Sequence, residues 1–197
     1  MSGTALAAAP PLDVPFFERS VHTVAEELIG CELRFGGVGG VIVETESYER
    51  DDPACHAYVG RTARTEVLFG PPAHAYVYLS YGIHSLLNFV AEPDGDAAAV
   101  LIRALEPVWG VEAMQRRRGL EDTRALCSGP GKLTEALGIG LEWNGAPVTS
   151  EPFELRARPA DREVEVTAGP RVGITKALER PWRFCAAGSR YLSRRPG

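Results

Sequence analysis

The sequence predicts an α+β protein: a single domain with a curved, mainly antiparallel β-sheet flanked by helices. Several short runs alternate between apolar and polar residues and are separated by turn-forming residues, as in antiparallel strands. An early segment instead shows the periodicity of a helix that is apolar on one side. With 197 residues, of which 45% are hydrophobic and 24% charged, the chain has the length and composition of one globular domain. We expect that domain over residues 13–197 and a flexible tail over residues 1–12.

The first elements are a helix and a hairpin turn. Residues 20–30 predict an amphipathic helix, whose apolar side carries Val21 and Leu28 and which ends at Gly30. The glycine-rich residues 36–40 predict a hairpin turn, because they are too few and wrongly ordered for a dinucleotide-binding loop.

The run VIVETESY, residues 41–48, predicts a strand that carries two carboxylates. Because the side chains of a strand alternate between its faces, one face is expected to hold every second residue: Ile42, Glu44, Glu46 and Tyr48. Glu46 and Tyr48 would then be neighbours. Glu44 lies on the same predicted face, so the pattern alone leaves either glutamate as a candidate catalytic group.

A second run, AYVYLSYG, predicts a strand with an aromatic face. Alternation places Tyr76 and Tyr78 together, and Tyr81 with Gly82 predicts the exit into a turn. Aromatic residues are common in strands, so these tyrosines could also be ordinary half-buried sheet residues. The polar loop between the two runs carries His56, together with Arg61 and Arg64. Such loops on a rigid scaffold often carry binding groups.

The rest of the chain predicts strands and short helices. Residues 86–90 and 98–104 flank the turn-like PDGD and predict a hairpin. A helix is expected to begin near Pro107 and to end at the arginine triplet 116–118. The later elements are a helix that begins within residues 128–131, a strand at residues 164–166 and a last strand at residues 182–186.

Aromatic rings beside a carboxylate suit the binding of a flat heterocycle whose neighbouring bond is attacked. A nucleobase is the leading candidate. An enzyme that acts on a base within a duplex must extrude it, stack it between aromatic side chains and stabilise the gap left behind. Tyr81, in a turn beside Ile83, is placed to fill such a gap.

Several long motifs, in order, resemble those of the 3-methyladenine DNA glycosylases of the alkyladenine (N-methylpurine) type. They are VETESY, GRTARTEVLFGPPAHAYVYLSYG, LLNFV, VLIRALEP, CSGPGKLTEALGI and PWRF, and the resemblance covers roughly residues 15–195. It implies the α+β fold predicted above and a base-excision DNA glycosylase in residues 13–197. It departs from the family at Cys185, where tyrosine is frequent, and in the spacing from Tyr48 to His56, which is one residue shorter than in some members.

The resemblance also implies a role for individual residues. The catalytic base would be Glu46, with Arg103 close to it and to its water. The residues that contact the flipped purine would be Tyr48, His56 and Tyr78, which stack on it, and Asn88, which excludes normal guanine. Tyr81 would enter the duplex.

The implied reaction is hydrolysis of an N-glycosidic bond by a water that Glu46 activates, without a covalent enzyme intermediate. Alkylated purines already carry positive charge and leave readily, whereas hypoxanthine or ethenoadenine must be protonated, and no dedicated acid is evident. A lyase would need an amine in the pocket. The chain has only two lysines, Lys132 and Lys176, and both lie in other motifs. A monofunctional enzyme is therefore expected.

DNA binding has to be reconciled with a net charge of −5. Residues 156–197 hold ten Lys and Arg against four Asp and Glu, so the positive charge is concentrated in that part. Lys132, at a predicted helix start, could bind a phosphate, and Arg61 and Ile83 are further candidates for DNA contact. The arginine triplet 116–118 is at least as well explained as a solvated helix end.

Composition sets the remaining expectations. The start of the chain lacks a charged segment followed by a long apolar one, and no run reaches transmembrane length. The four cysteines and four histidines form no metal-binding pattern. We expect reduced thiols, no cofactor, no metal and no membrane partner, in a monomer that acts on double-stranded DNA with a damaged purine in the cytoplasm, at the nucleoid. A hydrolase of free nucleosides and a non-catalytic reader of damaged DNA are the alternatives.

Overall fold

A computed structural model describes residues 9–195. The strands are β1 (Glu32–Phe35), β2 (Val38–Tyr48), β3 (Ala75–Ser80), β4 (His84–Ala91), β5 (Ala98–Trp109), β6 (Phe153–Arg156), β7 (Val166–Gly169) and β8 (Arg183–Ala186). The α-helices are α1 (Val14–Phe17), α2 (Val21–Glu27), α3 (Val111–Arg118), α4 (Thr123–Leu126) and α5 (Pro130–Leu137). Three short 3₁₀ turns lie at His56–Val59, Glu66–Phe69 and Leu141–Trp143.

One antiparallel sheet holds all the strands. The order is β3-β4-β5-β2-β1-β6, and β8 also pairs with β2 and carries β7 on its other side. The long strand β2 therefore pairs with β5 on one side, and on the other with β1 along its first half and with β8 along its second half. The predicted α+β domain with a curved, mainly antiparallel sheet is confirmed.

The main apolar core lies between the sheet and the helices. Its largest fully buried side chains include Phe17, Leu28, Phe89, Ile102 and Met114. A second cluster, built around Phe69, Tyr76 and Val90, lies under the loop that joins β2 to β3.

A β-bulge in β2 interrupts the side-chain alternation that the sequence predicts. The register against β5 shifts between Ile42 and Glu44 and again between Glu44 and Thr45. A bulge inserts an extra residue and so changes the face to which the following side chains point. Ile42 packs in the main core, whereas Glu44 and Glu46 bond to Arg103 on the other side. The prediction that Ile42 shares a face with these glutamates is wrong, and the one that Glu46 and Tyr48 are neighbours is confirmed.

Two other element predictions need correction. Residues 36–40 are not all turn: Gly36 and Gly37 turn with positive φ, but Gly39 and Gly40 lie within β2. A Cβ on Gly39 would lie 2.0 Å from the carbonyl oxygen of Leu33, so only glycine allows the strands to approach this closely. The helix predicted from Pro107 begins instead at Val111, because β5 continues through Pro107 to pair with β2.

The other predicted elements are found with small shifts. The helix predicted over residues 20–30 is α2, the predicted hairpin is β4 with β5, and the predicted helix start at residues 128–131 is that of α5. The strand predicted at residues 164–166 is β7, at Val166–Gly169, and the last predicted strand is β8. Of the predicted tail, residues 1–8 lie outside the described residues. Residues 9–12 are not free, because Leu12 and Pro10 hydrogen-bond to β6 and the residue after it.

Candidate active site

A cavity of about 690 Å³ opens against strands β2–β5. Its walls also include the β2–β3 loop, the β3–β4 turn and the segment between β7 and β8. Pockets of this size commonly bind small molecules. Six of the predicted site residues line it: Tyr48, His56, Tyr78, Tyr81, Asn88 and Arg103. The other four do not: Glu46, Arg61, Ile83 and Lys132.

Glu46 lies directly behind this wall, without exposed surface. Its carboxylate accepts hydrogen bonds from the Val172 amide (2.7 Å), the Tyr48 hydroxyl (2.8 Å) and Arg103 Nη1 (3.2 Å), and all three donors belong to residues that line the cavity. A carboxylate has about four acceptor positions. Within the described residues Oε1 accepts only from the Val172 amide, so one acceptor position of Glu46 has no protein donor.

Burial governs the protonation of this group. It raises the pKa of Glu46 above its ordinary value, although Arg103, the Val172 amide and the Tyr48 hydroxyl oppose the shift. The pKa of Tyr48 is raised well above its usual range by burial and by the Glu46 charge, so its hydroxyl stays a donor. A carboxylate with a raised pKa is a stronger base in its ionised form.

Glu44, the competing carboxylate, has a different environment. Its two oxygens accept four hydrogen bonds: from Arg103 Nε (2.9 Å), Arg183 Nε (2.8 Å), the Ser193 amide (2.6 Å) and the Ser193 hydroxyl (2.7 Å). Burial opposes its charge, but Arg103, Ser193 and Arg183 together lower the pKa of Glu44. Glu44 therefore accepts four hydrogen bonds, against three for Glu46, and none of its donors but Arg103 lines the cavity, so Glu44 holds Arg103 in place.

An aromatic cluster forms part of the cavity wall. The Tyr76 and Tyr78 rings are stacked with centroids 5.4 Å apart, and His56 meets Tyr78 edge-on at 4.5 Å. His56 Nδ1 lies 3.0 Å from the Tyr76 hydroxyl. Burial and the nearby Arg64 charge lower the pKa of His56, so the ring is neutral at pH 7. Tyr76 is more than a sheet aromatic, because it lines the cavity and orients His56.

The β3–β4 turn presents two exposed apolar side chains. Tyr81 is 92% exposed and Ile83 72% exposed. Tyr81 also has a φ of 51°, a left-handed conformation that costs a residue with a Cβ about 1 kcal/mol or more. An exposed ring held in a strained turn at the cavity mouth is unfavourable for the protein alone.

The remaining predicted residues differ in their distance from the cavity. Asn88 is buried and its Nδ2 donates to the Tyr76 carbonyl at 3.0 Å. Arg61 donates to the Phe69 carbonyl at 3.2 Å. Lys132 lies in the first turn of α5, two residues after Pro130, which lines the cavity.

Three of the cavity residues that were not predicted as site residues carry groups that bear on the chemistry: Arg64, Val172 and Lys176. Arg64 lies over the Tyr78 ring, 5.3 Å from its centroid, and Val172 provides the backbone donor to Glu46. Lys176 also lines the cavity, although it lies in a different sequence motif from the predicted site residues. Arg64 could be recognised as a candidate because it lies in the polar loop. The hydrogen bond from the Val172 amide to Glu46, 126 residues away, could not be recognised in this way, because residue type does not indicate a backbone contact.

Within residues 9–195, no group of three or more His, Cys, Asp or Glu could hold a metal ion. The four cysteines are free and buried. None of the helices in the described part of the chain is long and apolar enough to cross a bilayer.

The model of one protein family, methylpurine-DNA glycosylase, matches residues 15–190. The chain belongs to this family. It is a DNA glycosylase, a hydrolase that acts on N-glycosidic bonds in DNA repair. Among its relatives is a protein of Rhodopseudomonas palustris, 58% identical over 95% of this chain and 92% of its own length. A protein of Nitrosospira multiformis is 56% identical over 90% of this chain and 91% of its own length. A protein of Rhizobium meliloti is 54% identical over 93% of this chain and 96% of its own length. All three carry the name "Putative 3-methyladenine DNA glycosylase".

Proposed function

We propose that this glycosylase flips a damaged purine out of double-stranded DNA and hydrolyses its N-glycosidic bond with a water that Glu46 activates, leaving an abasic site. The substrates are alkylated or deaminated purines: 3-methyladenine, 7-methylguanine, hypoxanthine and ethenoadenine. The observation that carries the proposal is the Glu46 carboxylate, which is buried, held by three donors and left with one acceptor position behind an aromatic cavity.

In the proposed reaction Glu46 takes a proton from the water as the oxygen attacks C1′ of the deoxyribose. The carboxylate charge also stabilises the oxocarbenium-like transition state as the purine leaves. General-base assistance of this kind contributes about 10²- to 10⁴-fold to the rate. Arg103 orients Glu46 through Nη1 and is itself held by Glu44 through Nε.

The aromatic wall is proposed to recognise the flipped base. Tyr48, His56 and Tyr78 all line the cavity and would stack on the purine. Asn88, which is fixed by its bond to the Tyr76 carbonyl, would clash with the exocyclic amine of normal guanine. An alkylated purine already carries a positive charge and leaves as a neutral base without an added proton, in keeping with a neutral His56, whereas hypoxanthine or ethenoadenine would take up a proton from the solvent as it leaves.

The duplex is proposed to lie across the cavity mouth. Tyr81 would enter the space that the flipped nucleotide vacates, with Ile83 beside it, and the energy of the strained turn would be offset by stacking between base pairs. Lys132 and Arg61 would contact the backbone. We further propose that the protein acts as a monomer in the cytoplasm, at the nucleoid where its substrate lies.

The enzyme is proposed to be monofunctional. Lys176 lines the cavity, so the amine that a lyase requires is close by. Borohydride trapping separates the two cases. No covalent protein–DNA adduct is expected from a monofunctional enzyme, and an adduct that the Lys176→Ala variant lacks would show lyase chemistry.

The proposal is tested with three substrates: a duplex with one hypoxanthine or ethenoadenine, a methylated duplex and the corresponding free nucleosides. Abasic sites are counted for the wild type and for Glu46→Gln. Base release from the duplexes that is lost in the variant, while duplex binding survives, supports the proposal. Binding without release by either protein would indicate a damage reader, and release from the nucleosides alone would indicate a nucleoside hydrolase.

A further inference from the structure

A buried ion pair lies next to Glu46 but outside the cavity wall. The side chains of Arg171 and Asp52 have no exposed surface. Arg171 Nη1 donates to an Asp52 carboxylate oxygen and, at 3.0 Å, to the carbonyl oxygen of Ser47. The loss of solvation makes a buried ion pair a poor source of net stability. Its position beside the site therefore points to another role.

The pair is linked to Glu46 through the backbone. The residue after Arg171 is Val172, whose amide donates to Glu46 Oε1 at 2.7 Å. Arg171 itself is bonded to the carbonyl of Ser47, the residue that follows Glu46 in β2. Arg171 thus connects the segment that carries the Val172 amide to the strand that carries the Glu46 carboxylate.

The same guanidinium supports the cavity wall. Its carbon lies 4.5 Å from the centroid of the Tyr48 ring and 5.1 Å from that of Trp182. Tyr48 lines the cavity and Arg171 does not, so the cation lies behind the ring. Its Nε and Nη2 have no hydrogen-bond partner within residues 9–195, so one carboxylate, one carbonyl and two aromatic rings hold the group.

We propose that Arg171 and Asp52 form a positioning pair for the hydrolysis. The pair holds the Val172 amide on Glu46 and the Tyr48 ring at the cavity wall, and neither residue touches the substrate. This inference rests on the proposed role of Glu46 as the base. A displaced Val172 amide would remove a hydrogen bond that favours the charged carboxylate. The other groups that face Glu46 are Arg103, the neutral Tyr48 hydroxyl and Glu44, and a substitution in the pair leaves all three in place.

The test uses Arg171→Lys in the full chain. Lysine keeps the charge beside Asp52, but its single ammonium cannot reproduce the planar fork or the ring contacts. Arg180 Nη1, 3.8 Å from Asp52, also keeps that carboxylate from being left without a cation. Asp52→Glu is the second conservative variant, for use if the first does not fold. Arg156→Lys is the matched control, because Arg156 also bonds one carboxylate (Glu154) and one backbone carbonyl (Ala9) but lies on β6, away from the cavity.

Single-turnover base release is measured from pH 4 to 9 with enzyme in excess over a duplex that contains one hypoxanthine. A displaced catalytic group typically lowers the rate by about 10- to 100-fold. We expect such a loss for Arg171→Lys, an acid limb at higher pH than in the wild type, and duplex binding within about twofold of wild type.

Three outcomes are distinguishable. A slower rate with a shifted acid limb, in a folded variant and not in the Arg156→Lys control, supports the positioning role. The positioning role is overturned if Arg171→Lys keeps the wild-type rate and acid limb, or if Arg156→Lys loses as much rate as Arg171→Lys. In either case the proposed function stands as long as Glu46→Gln still abolishes base release. Release that survives in Glu46→Gln overturns the proposed function itself.

Discussion

The different environments of Glu44 and Glu46 predict that the same substitution destabilises the protein more at Glu44 than at Glu46. Glu44→Gln removes the charge that faces both Arg103 and Arg183 in a buried site. Breaking a buried pair by removing one partner costs about 3–5 kcal/mol. In the variant Arg103 still donates to Glu46 and Arg183 still donates to the carbonyl oxygen of Arg194. We therefore expect the free energy of unfolding to fall by the lower limit, about 3 kcal/mol.

For a domain of this length 1 kcal/mol corresponds to about 2–4 °C, so the melting temperature of Glu44→Gln should fall by about 6–12 °C at pH 7. The melting temperature of Glu46→Gln should fall clearly less. The substitution weakens hydrogen bonds to Glu46, but it also removes a charge that burial disfavours, and the two effects offset each other. Urea unfolding and calorimetry at pH 7 would measure both, and base release would be assayed below the melting range of each variant.

The stabilisation by Glu44 also has a predicted pH dependence. Its pKa is lowered in the folded protein, so its contribution is present above the pKa of the unfolded chain, about 4.3, and is lost as the pH falls through the lower folded value. The difference in the free energy of unfolding between wild type and Glu44→Gln should therefore become smaller below about pH 4. An unfolding free energy of Glu44→Gln within about 1 kcal/mol of wild type would refute this reasoning. So would a folded Glu44→Gln protein that loses more activity than Glu46→Gln.

Four further predictions concern the cavity and its mouth. Tyr81→Gly should bind a damaged duplex more weakly while its melting temperature stays equal or rises, since glycine relieves the positive φ; a lower melting temperature would contradict this. Asn88→Ala should release normal guanine from undamaged duplex at a rate measurable above the wild-type background, and an unchanged rate would remove Asn88 from substrate selection. Lys132→Ala should reduce the slope of log K against log salt concentration by about one, as fluorescence anisotropy can measure, and an unchanged slope would place Lys132 away from the phosphates. Base release by the wild type should need the charged form of Glu46 and fall as the pH drops through its raised pKa, so an acid limb at or below the ordinary glutamate value would contradict the burial argument.

Local patterns predicted those parts of the site whose residues are close in sequence. Glu46 and Tyr48 are two positions apart in one strand, and the strand repeat alone makes them neighbours. The turn at Tyr81 and Gly82 was predicted from the glycine. The pattern fails at Ile42, because a bulge depends on how β2 meets β5 and has no distinctive residue in this sequence.

Contacts between distant segments could not be predicted in this way. Pro107 was interpreted as the start of a helix, but its pairing with Gly40 keeps it in β5. The bond from the Val172 amide to Glu46 involves no side chain of valine, so residue type gives no indication of it. The distinction between Glu44 and Glu46 likewise depends on Arg183 and Ser193, which are far along the chain.

The two glutamates acquire their partners late in synthesis. The Val172 amide follows Glu46 by 126 residues, and Ser193 follows Glu44 by 149. A ribosome adds about 5–20 residues per second, so roughly 7–30 s separate Glu44 from Ser193. Glu46 lacks its backbone donor until Val172 has been added. The strand β2 lacks β8 on one side until Ala186 has been added, and Glu44 lacks its backbone donor until Ser193 has been added. A nascent or truncated chain could close much of the sheet and still have no ordered base, so hydrolysis would begin only after nearly the whole sequence has emerged and docked.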